Sequence, residues 1–345
     1  MTSTPPPVVN AVIKRLIAGE SIPAAELTAA FDLVMSGDAT PVQISALLVG
    51  LRVKGETAEE VAAVAKALRN AMVALAATDP DSLVDTCGTG GGSVTTFNIS
   101  TAAALAAAGA GVRIAKHGNR SFTSQCGSAD VLEALDVPIE VPVARMQKTL
   151  TDAGIVFMFA PAMHPAMKHV GPVRRELGIP TVMNMVGPLA NPARAGRQVV
   201  GVSDPKRLEL MAGALCNLGA VHAMVVYGEP GMDEVSPIGP TRVIEVREGR
   251  TTEWTIDPAK YGYARIDRGD LAGGPPEENA AIIERVLTGN GPVGAAAAVV
   301  LNSAAAIYVS GKAKSFDQAV EAAREAVSSG AGVVALERLR TSSKA

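Results

Sequence analysis

Residues 85–101, DTCGTGGGSVTTFNIST, bring glycines at 88, 90, 91 and 92 against a run of hydroxyl and amide side chains and then an alanine-rich stretch. Such a composition suits an anion cradle. Glycine lets the backbone approach a phosphate closely, successive N–H groups form a concave nest, and a following helix N-terminus adds about half a positive charge. No Gly-Lys-Ser/Thr follows, so the loop is not a Walker A motif. The glycines are contiguous and lack an acidic residue about 20 positions on, which also excludes the dinucleotide fingerprint.

A second polar segment, KHGNRSFTSQCGSAD at 116–130, combines two cations, a glycine, an amide and several hydroxyls. Lys116 and Arg120 suit phosphate charge, and Ser121, Thr123, Ser124 and Ser128 suit phosphate oxygens. A solvated turn with a capping Ser or Asp would contain the same residue types. Taken with the glycine nest, the mixture favours a poly-anionic sugar.

These loops need elements to hold them. Leu83-Val84 reads as a strand entering the first loop, and Asn98, Ser100 and Thr101 stand where a helix from Ala102 begins. Val112–Ala115 reads as the strand before the second loop, and a loop this polar at a strand's C-terminal end is where open α/β sheets bind ligands. The first 78 residues look wholly helical, with apolar spacing over 8–18, 23–35, 41–53 and 58–76. Ser21-Ile22-Pro23 and Thr40-Pro41 mark helix starts, and Thr57 to Glu60 forms a T-x-x-E capping box. After Asp79-Pro80 strand-like runs at 155–160, 199–202 and 224–227 alternate with helices. Thr241–Arg247 and Thr251–Ile256 read as a hairpin around Glu248-Gly249-Arg250, and the chain from Glu277 is helical again. The expected fold is α/β: a small all-helical domain, then a large domain with a central, mostly parallel sheet flanked by helices.

Composition narrows the function classes. The 345 residues are 48% hydrophobic, which provides an ample core, and a net charge of −3 offers no global field for nucleic acid or membrane. Three cysteines, 87, 126 and 216, show no metal spacing, which points to a reducing, cytoplasmic setting. MTSTPPPVVN has neither a basic start nor an apolar core, so no signal peptide is expected. Aromatic residues are only 3%, leaving few stacking platforms for single-stranded nucleic acid.

GTGG followed by NIST, KHGNR, HPAMKHVGPVRRELG at 164–178, NMVGPLANP at 184–192 and DEVSP at 233–237 together resemble, in order and spacing, the anthranilate phosphoribosyltransferases of tryptophan biosynthesis. The resemblance implies a nucleoside-phosphorylase-like phosphoribosyltransferase fold, with a helical domain at 1–78 completed by a helical segment near 164–190. Residues 79–345 would form the α/β domain, the active site would lie in the cleft between them, and hinge closure would exclude water. It also implies transfer of 5-phosphoribosyl from phosphoribosyl pyrophosphate to the amine of anthranilate, with Mg²⁺, in a homodimer packed through the small domain. Leu47, Leu48 and Leu51 would either fill the core or form that seam.

The resemblance distributes roles by position. Phosphoribosyl pyrophosphate would meet Gly88, Gly91, Gly92, Thr96, Asn98, Ile99, Ser100 and Thr101 in the first loop. In the second it would meet Lys116, His117, Gly118, Asn119, Arg120, Ser121, Phe122, Thr123, Ser124 and Ser128. Anthranilate would meet Gly88, Asn119, His117, His164 and above all Arg174, whose guanidinium suits a carboxylate, while Ser100, Asp233 and Glu234 would hold the metal. Adjacent carboxylates on a loop are commonly just solvated; Mg²⁺ coordination between carboxylates and substrate phosphates gives the alternative its physical sense. An aromatic amine is already neutral at pH 7, so both histidines are assigned to positioning rather than to general-base work.

One position departs from the family pattern: Gly92 stands where relatives carry Asp, removing a carboxylate near the substrate and its metal. Two rivals are a pyrimidine nucleoside phosphorylase, which would need a lysine-serine loop in place of KHGNR, and a non-catalytic nucleic-acid-binding relative, which would need basic clusters. Lys14-Arg15 and Arg174-Arg175 are too short for a groove that tracks a phosphate backbone.

Overall fold

The computed structural model describes residues 7–121 and 125–344. Four helices open it, α1 (Pro7–Ile17), α2 (Ala24–Ser36), α3 (Pro41–Lys54) and α4 (Ala58–Asn70). Thr40 and Thr57 each close a capping box, with Gln43 and Glu60 as the returning partners. Glu60 does more than cap. Its wholly buried carboxylate accepts from the Thr57 N–H, from Lys54 Nζ at 2.8 Å and from the Ile22 N–H at 2.9 Å, so one side chain ties the starts of α2 and α4 to the end of α3.

The alanine-rich run expected to stay helical to 76 leaves the helix at Asn70. Val73 N–H donates instead to Met163 O at 2.8 Å and Leu75 N–H to Pro192 O at 3.0 Å. Tertiary backbone pairing overrides helix propensity there. Leu47, Leu48 and Leu51 are wholly buried and belong to the core. The apolar stripe of α3 left at the surface is Val42, Ala46, Val49 and Val53, spaced as one helical face, with Val42 78% and Val53 82% exposed.

Seven strands follow: β1 (Val84–Gly88), β2 (Ile114–Gly118), β3 (Ile155–Phe159), β4 (Arg197–Gly201), β5 (His222–Gly228), β6 (Thr241–Arg247) and β7 (Arg250–Ile256). They form one sheet in the order β3-β2-β1-β4-β5-β6-β7, parallel through β5 and antiparallel beyond it. The β6–β7 turn places Glu248 at φ +52° and Gly249 at φ +72°, as a two-residue hairpin of right-handed twist requires. Strand β2 starts two residues later than expected and ends three later. Lys116 and His117 are polar yet only 3% and 8% exposed, so burial rather than hydropathy sets the boundary.

Helices between and after the strands are α5 (Ile99–Gly109), α6 (Ser128–Ala134), α7 (Val143–Ala153), α8 (Ala160–Met163), α9 (Met167–Leu177), α10 (Met183–Val186) and α11 (Leu208–Asn217). The C-terminal helices are α12 (Pro276–Leu287), α13 (Val293–Val309), α14 (Phe316–Ser328) and α15 (Ala331–Lys344). One sheet face, with Val84, Ile114, Phe157, Met224 and Val243, packs under α5 and α12 to α15. On the other face Val200, Val225 and Ile244 meet α11, and the same apolar cluster runs through α4 into α1–α3, α9 and α10. Residues 166–190 therefore pack with the N-terminal helices although α5 to α8 separate them in sequence.

Helix α5 is held by backbone contact. A Cβ on Gly109 would lie 2.5 Å from the Ala331 carbonyl carbon. Gly109→Ala is expected to lower unfolding stability by roughly 1–3 kcal/mol in urea titrations with little change of slope. An unchanged midpoint would mean that α15 yields freely.

Candidate active site

The chain steps from β1 to β2 to β3 in one direction and returns with β4 on the other side of β1. Loops leaving β1 and β4 therefore diverge, and such a switch point opens a crevice at the strands' C-terminal ends. Gly88 and Gly201, the paired last residues of these strands, lie beneath the turn that follows β5. A Cβ on Gly88 would run into Asp233 Oδ2, and one on Gly201 into the Asp233 carbonyl. Both strands end in glycine because the acidic turn occupies that space.

The glycine loop bends through Gly90 at φ +73° and Gly91 at φ +78°, the left-handed region that glycine adopts without strain. Three of its backbone N–H groups, at Thr89, Gly90 and Ser93, already have acceptors. Gly90 N–H donates to Asp233 Oδ2 at 2.7 Å and Thr89 N–H to Gly201 O at 2.9 Å. Ser203 Oγ donates to Gly90 O at 2.9 Å, and Ser93 bonds Gly231 O through its N–H and Pro230 O through its hydroxyl. The nest thus holds an internal carboxylate where it would hold a phosphate. At Gly92 a Cβ would stand 3.0 Å from Gly231 O and 3.5 Å from Asp233 Oδ1.

Helix α5 starts without a side-chain cap. Asn98, at the cap position, spends its amide on Cys126 O at 3.1 Å and accepts from Asn279 at 2.9 Å, tying both loops to α12. The Ser100 N–H bonds the Glu234 carboxylate. Ile99 and Thr101 are buried, the Thr101 hydroxyl without a hydrogen-bond partner among the described residues, and Thr96 is half-buried.

Strands β1 and β2 pair at one position only, Val84 with Ile114, whereas β1–β4 and β2–β3 each pair at five. Side chains replace the missing ladder. Asp85 Oδ1 accepts the His117 N–H at 3.1 Å, Asn191 Nδ2 donates at 2.8 Å to both Asp85 Oδ2 and Ala115 O, and Lys116 Nζ donates to Thr86 O at 2.6 Å and Ser100 Oγ at 3.2 Å. Asp85 and Asn191 are wholly buried. Burial pushes the Asp85 carboxyl up to about 6 against the opposing pull of Asn191, Lys116 and the His117 N–H. Burial pushes Lys116 down, while Asp85, Cys87 and Glu234 act to keep it charged. Glu234 is raised by burial and by Asp233, and Lys116 and the Ser100 N–H oppose that rise. Neither Asp85 nor Asn191 received a role from the sequence, although both lie in its motifs; an acidic residue inside a strand was the available signal.

The second loop closes on itself. A Cβ on Gly118 would run into Ser128 Oγ and the Phe157 ring. Ser128 Oγ donates to Asn119 O, Asn119 Oδ1 accepts the Arg120 N–H, and Asp130 accepts from Ser121 and Gly127 N–H groups. Arg120, expected to supply phosphate charge, is bound to Asp130 at 2.8 Å and Glu133 at 2.6 Å. Phe122, Thr123 and Ser124 lie outside the described residues.

The His117 and His164 rings meet at a tilt of 57°, with centroids 4.9 Å apart. Gly187 and Ala190 backbone groups approach the rings, yet among the described residues His117 Nε2 and both His164 nitrogens lack a partner of hydrogen-bonding geometry. Burial, and for His117 the neighbouring His164 and Lys116, pushes His117 down to about 3 and His164 to about 4. Both imidazoles are neutral, and buried unpaired polar atoms of this kind suit a ligand. On α9, Arg174 is half-buried, held below its ordinary value by burial, and free of any ion pair among the described residues; Arg175 beside it is exposed.

Asp233 and Glu234 lie beside the nest, Asp233 over Gly88 and Glu234 on the Ser100 N–H, while the Ser100 hydroxyl accepts from Lys116 Nζ. Among the described residues no three His, Cys, Asp or Glu side chains form a cage. Two adjacent carboxylates beside a hydroxyl are the oxygen ligands that Mg²⁺ prefers, and it commonly completes its shell with water and substrate phosphates.

Residues 10–72 match the model of the glycosyl transferase family's helical bundle domain, and residues 80–333 that of its a/b domain. The anthranilate phosphoribosyltransferase of Thermomicrobium roseum is 45% identical over 98% of this chain and 97% of its own, and that of Rubrobacter xylanophilus 47% over 94% and 95%. The crystal structure of the Thermus thermophilus enzyme superposes with a TM-score of 0.91 at 43% identity, covering 97% of this chain and 99% of that one. The Saccharomyces cerevisiae enzyme in complex with PRPP and Mg gives 0.86 at 29%, covering 97% and 98%. Among the described residues no helix is long and apolar enough to cross a membrane.

The histidine pair sets a pH response. An unfolded chain protonates His near pH 6.5, the folded one only near 4 or below. Stability present at neutral pH is therefore lost as pH falls through that window. His164→Gln, which takes up no proton, should gain on the parent by on the order of 2 kcal/mol between pH 7 and 5 in urea unfolding. Parallel pH profiles would show that the ring is not held neutral.

Proposed function

This chain belongs to the anthranilate phosphoribosyltransferase family, and we propose how its own residues divide the labour of that reaction. It moves 5-phosphoribosyl from phosphoribosyl pyrophosphate to the amine of anthranilate. The ribose C1–O bond breaks with its electron pair leaving on pyrophosphate, a C1–N bond forms, and the amine gives up a proton.

The observation that carries the assignment of roles is the Asp233–Glu234 turn seated on Gly88 and Gly201 with its carboxylate in the glycine nest. A substrate phosphate would compete with Asp233 for the Gly90 N–H, and Asp233, Glu234 and Ser100 would hold Mg²⁺. Mg²⁺, when bound, neutralises charge that builds on departing pyrophosphate. Ser100 and Thr101 present the α5 N-terminus to phosphate oxygens, Lys116 keeps the buried acids compensated from below, and Asn119 and Ser128 shape the ribose side. Arg174 grips the anthranilate carboxylate, and the neutral His117–His164 pair orients the ring without acting as a base. Arg120 braces the second loop through Asp130 and Glu133.

We place the helical unit at 1–78 with 164–190 and the phosphoribosyl-binding unit at 79–345, the cleft between them closing over the substrates in the cytoplasm. The exposed stripe of Val42, Ala46, Val49 and Val53, with Ile17 81% exposed nearby on α1, supports a homodimer through the small unit. Val42→Glu with Val53→Glu should shift sedimentation from dimer to monomer while leaving the fold intact, and a monomeric parent would end this reading.

Loss of anthranilate fluorescence on adding phosphoribosyl pyrophosphate and Mg²⁺, abolished by EDTA, tests the activity directly. In that assay Arg174→Ala should raise the KM for anthranilate about tenfold or more, with a much smaller effect on the phosphoribosyl donor. Equal effects on both would remove Arg174 from its place.

A further inference from the structure

At the end of the sheet away from the nest, a cavity of about 230 Å³ opens between the first residues of β4 and β5, the last of β6 and the turn joining α13 to α14. Arg197, Arg247 and Lys314 line it with His222 and Tyr308, and no acidic side chain does. Strand register places His222 opposite Arg247, and Arg247 opposite Arg250, on one sheet face. Two like charges directly across a strand pair repel. Among the described residues none of Arg197, Arg247, Arg250, Lys312 and Lys314 has an ion pair, in a chain whose net charge is −3.

Glu245, the acid held by His222 and Tyr308, does not balance them. Glu245 Oε1 is taken by His222 Nε2 at 2.8 Å and the Tyr308 hydroxyl at 3.0 Å, and Oε2 by Trp254 Nε1 at 3.0 Å. Arg197 is fixed from behind, donating to Asp81 O at 2.8 Å and Val309 O at 2.6 Å, which leaves other guanidinium N–H groups undonated. Arg247 reaches the Tyr308 hydroxyl.

We propose that this cavity is a second anion site, taking a phosphate group, free or on a small ester, at the far end of β4 and β5 from the substrate cradle. Its volume lies below the range of drug-sized ligand pockets, so the ligand is small. Forked guanidinium donors select phosphate and carboxylate geometry over halide. The five-residue β4 separates the two sites by roughly 13 Å, so one chain holds both at once.

Calorimetric titration with inorganic phosphate, on the parent and on Arg247→Gln/Lys314→Gln, tests it. The substrate cradle contributes equally to both proteins, so the parent should bind one phosphate more per chain, or bind it about tenfold or more tightly. Turnover by the double variant should persist, which separates this site from the catalytic one. Glycerol phosphate in place of inorganic phosphate distinguishes an ester from the free ion: tighter binding of the ester by the parent alone assigns the cavity to esters, equal binding to the phosphate group itself. Arg250→Gln, whose exposed side chain leaves folding untouched, should weaken binding in the same direction. Identical isotherms for parent and variants would overturn the proposal.

Discussion

The parting of β1 from β2 is the constraint on which the site depends. A fully laddered sheet would bring the backbones of the glycine loop and the KHGNR segment together and leave no space between them. Here the strands share one pair and then diverge, and Asp85, Asn191 and Lys116 satisfy the amides and carbonyls that the ladder abandons. Buried backbone groups must be paired, so an opening in a sheet costs several hydrogen bonds unless side chains replace them. Three residues do so, and each also faces the chemistry: Asp85 fixes His117, Lys116 compensates Glu234, and Asn191 anchors the turn beside His164.

A second constraint is steric. Gly88, Gly201 and the Asp233 turn are one interlocked unit, since the acidic turn can descend only where two adjacent strands end without side chains. That descent places Asp233 on the Gly90 N–H and Glu234 on the α5 N-terminus, so acids and phosphate cradle are assembled by the same contact. The carboxylate in the nest also keeps the loop folded around a negative charge before any substrate arrives.

Much of this was legible in the chain. Capping signals at Thr40 and Thr57, the hairpin at Glu248-Gly249 and the glycine-to-helix transition at Asn98 all act locally, and local chemistry is what a sequence displays. Long-range pairing was not legible. Residues 71–76 read as helix, and nothing nearby announces that Met163 and Pro192 will claim their amides. Strand β2 was cut short because Lys116 and His117 look like surface residues until the partners that bury them are known. Leu47, Leu48 and Leu51 gave no sign of which apolar face of α3 would be covered; that depends on α1 and α9. The motifs named the phosphate loops, while their bracing by Asp85, Asn191, Ser93 and Ser203 emerged only from the fold.

Glycine at 92 has a consequence for how this enzyme exchanges parts with its relatives. A Cβ at 92 would stand tight against Gly231 O, at 3.0 Å, and in ordinary contact with Asp233 Oδ1, at 3.5 Å, and Ser93 is stitched to the same turn by two hydrogen bonds. Residues 88–93 and 229–234 are therefore one packed unit. A chimera that imports one segment and keeps the other would press a side chain at 92 toward the Gly231 carbonyl, and the turn would have to give by a few tenths of an ångström to admit it.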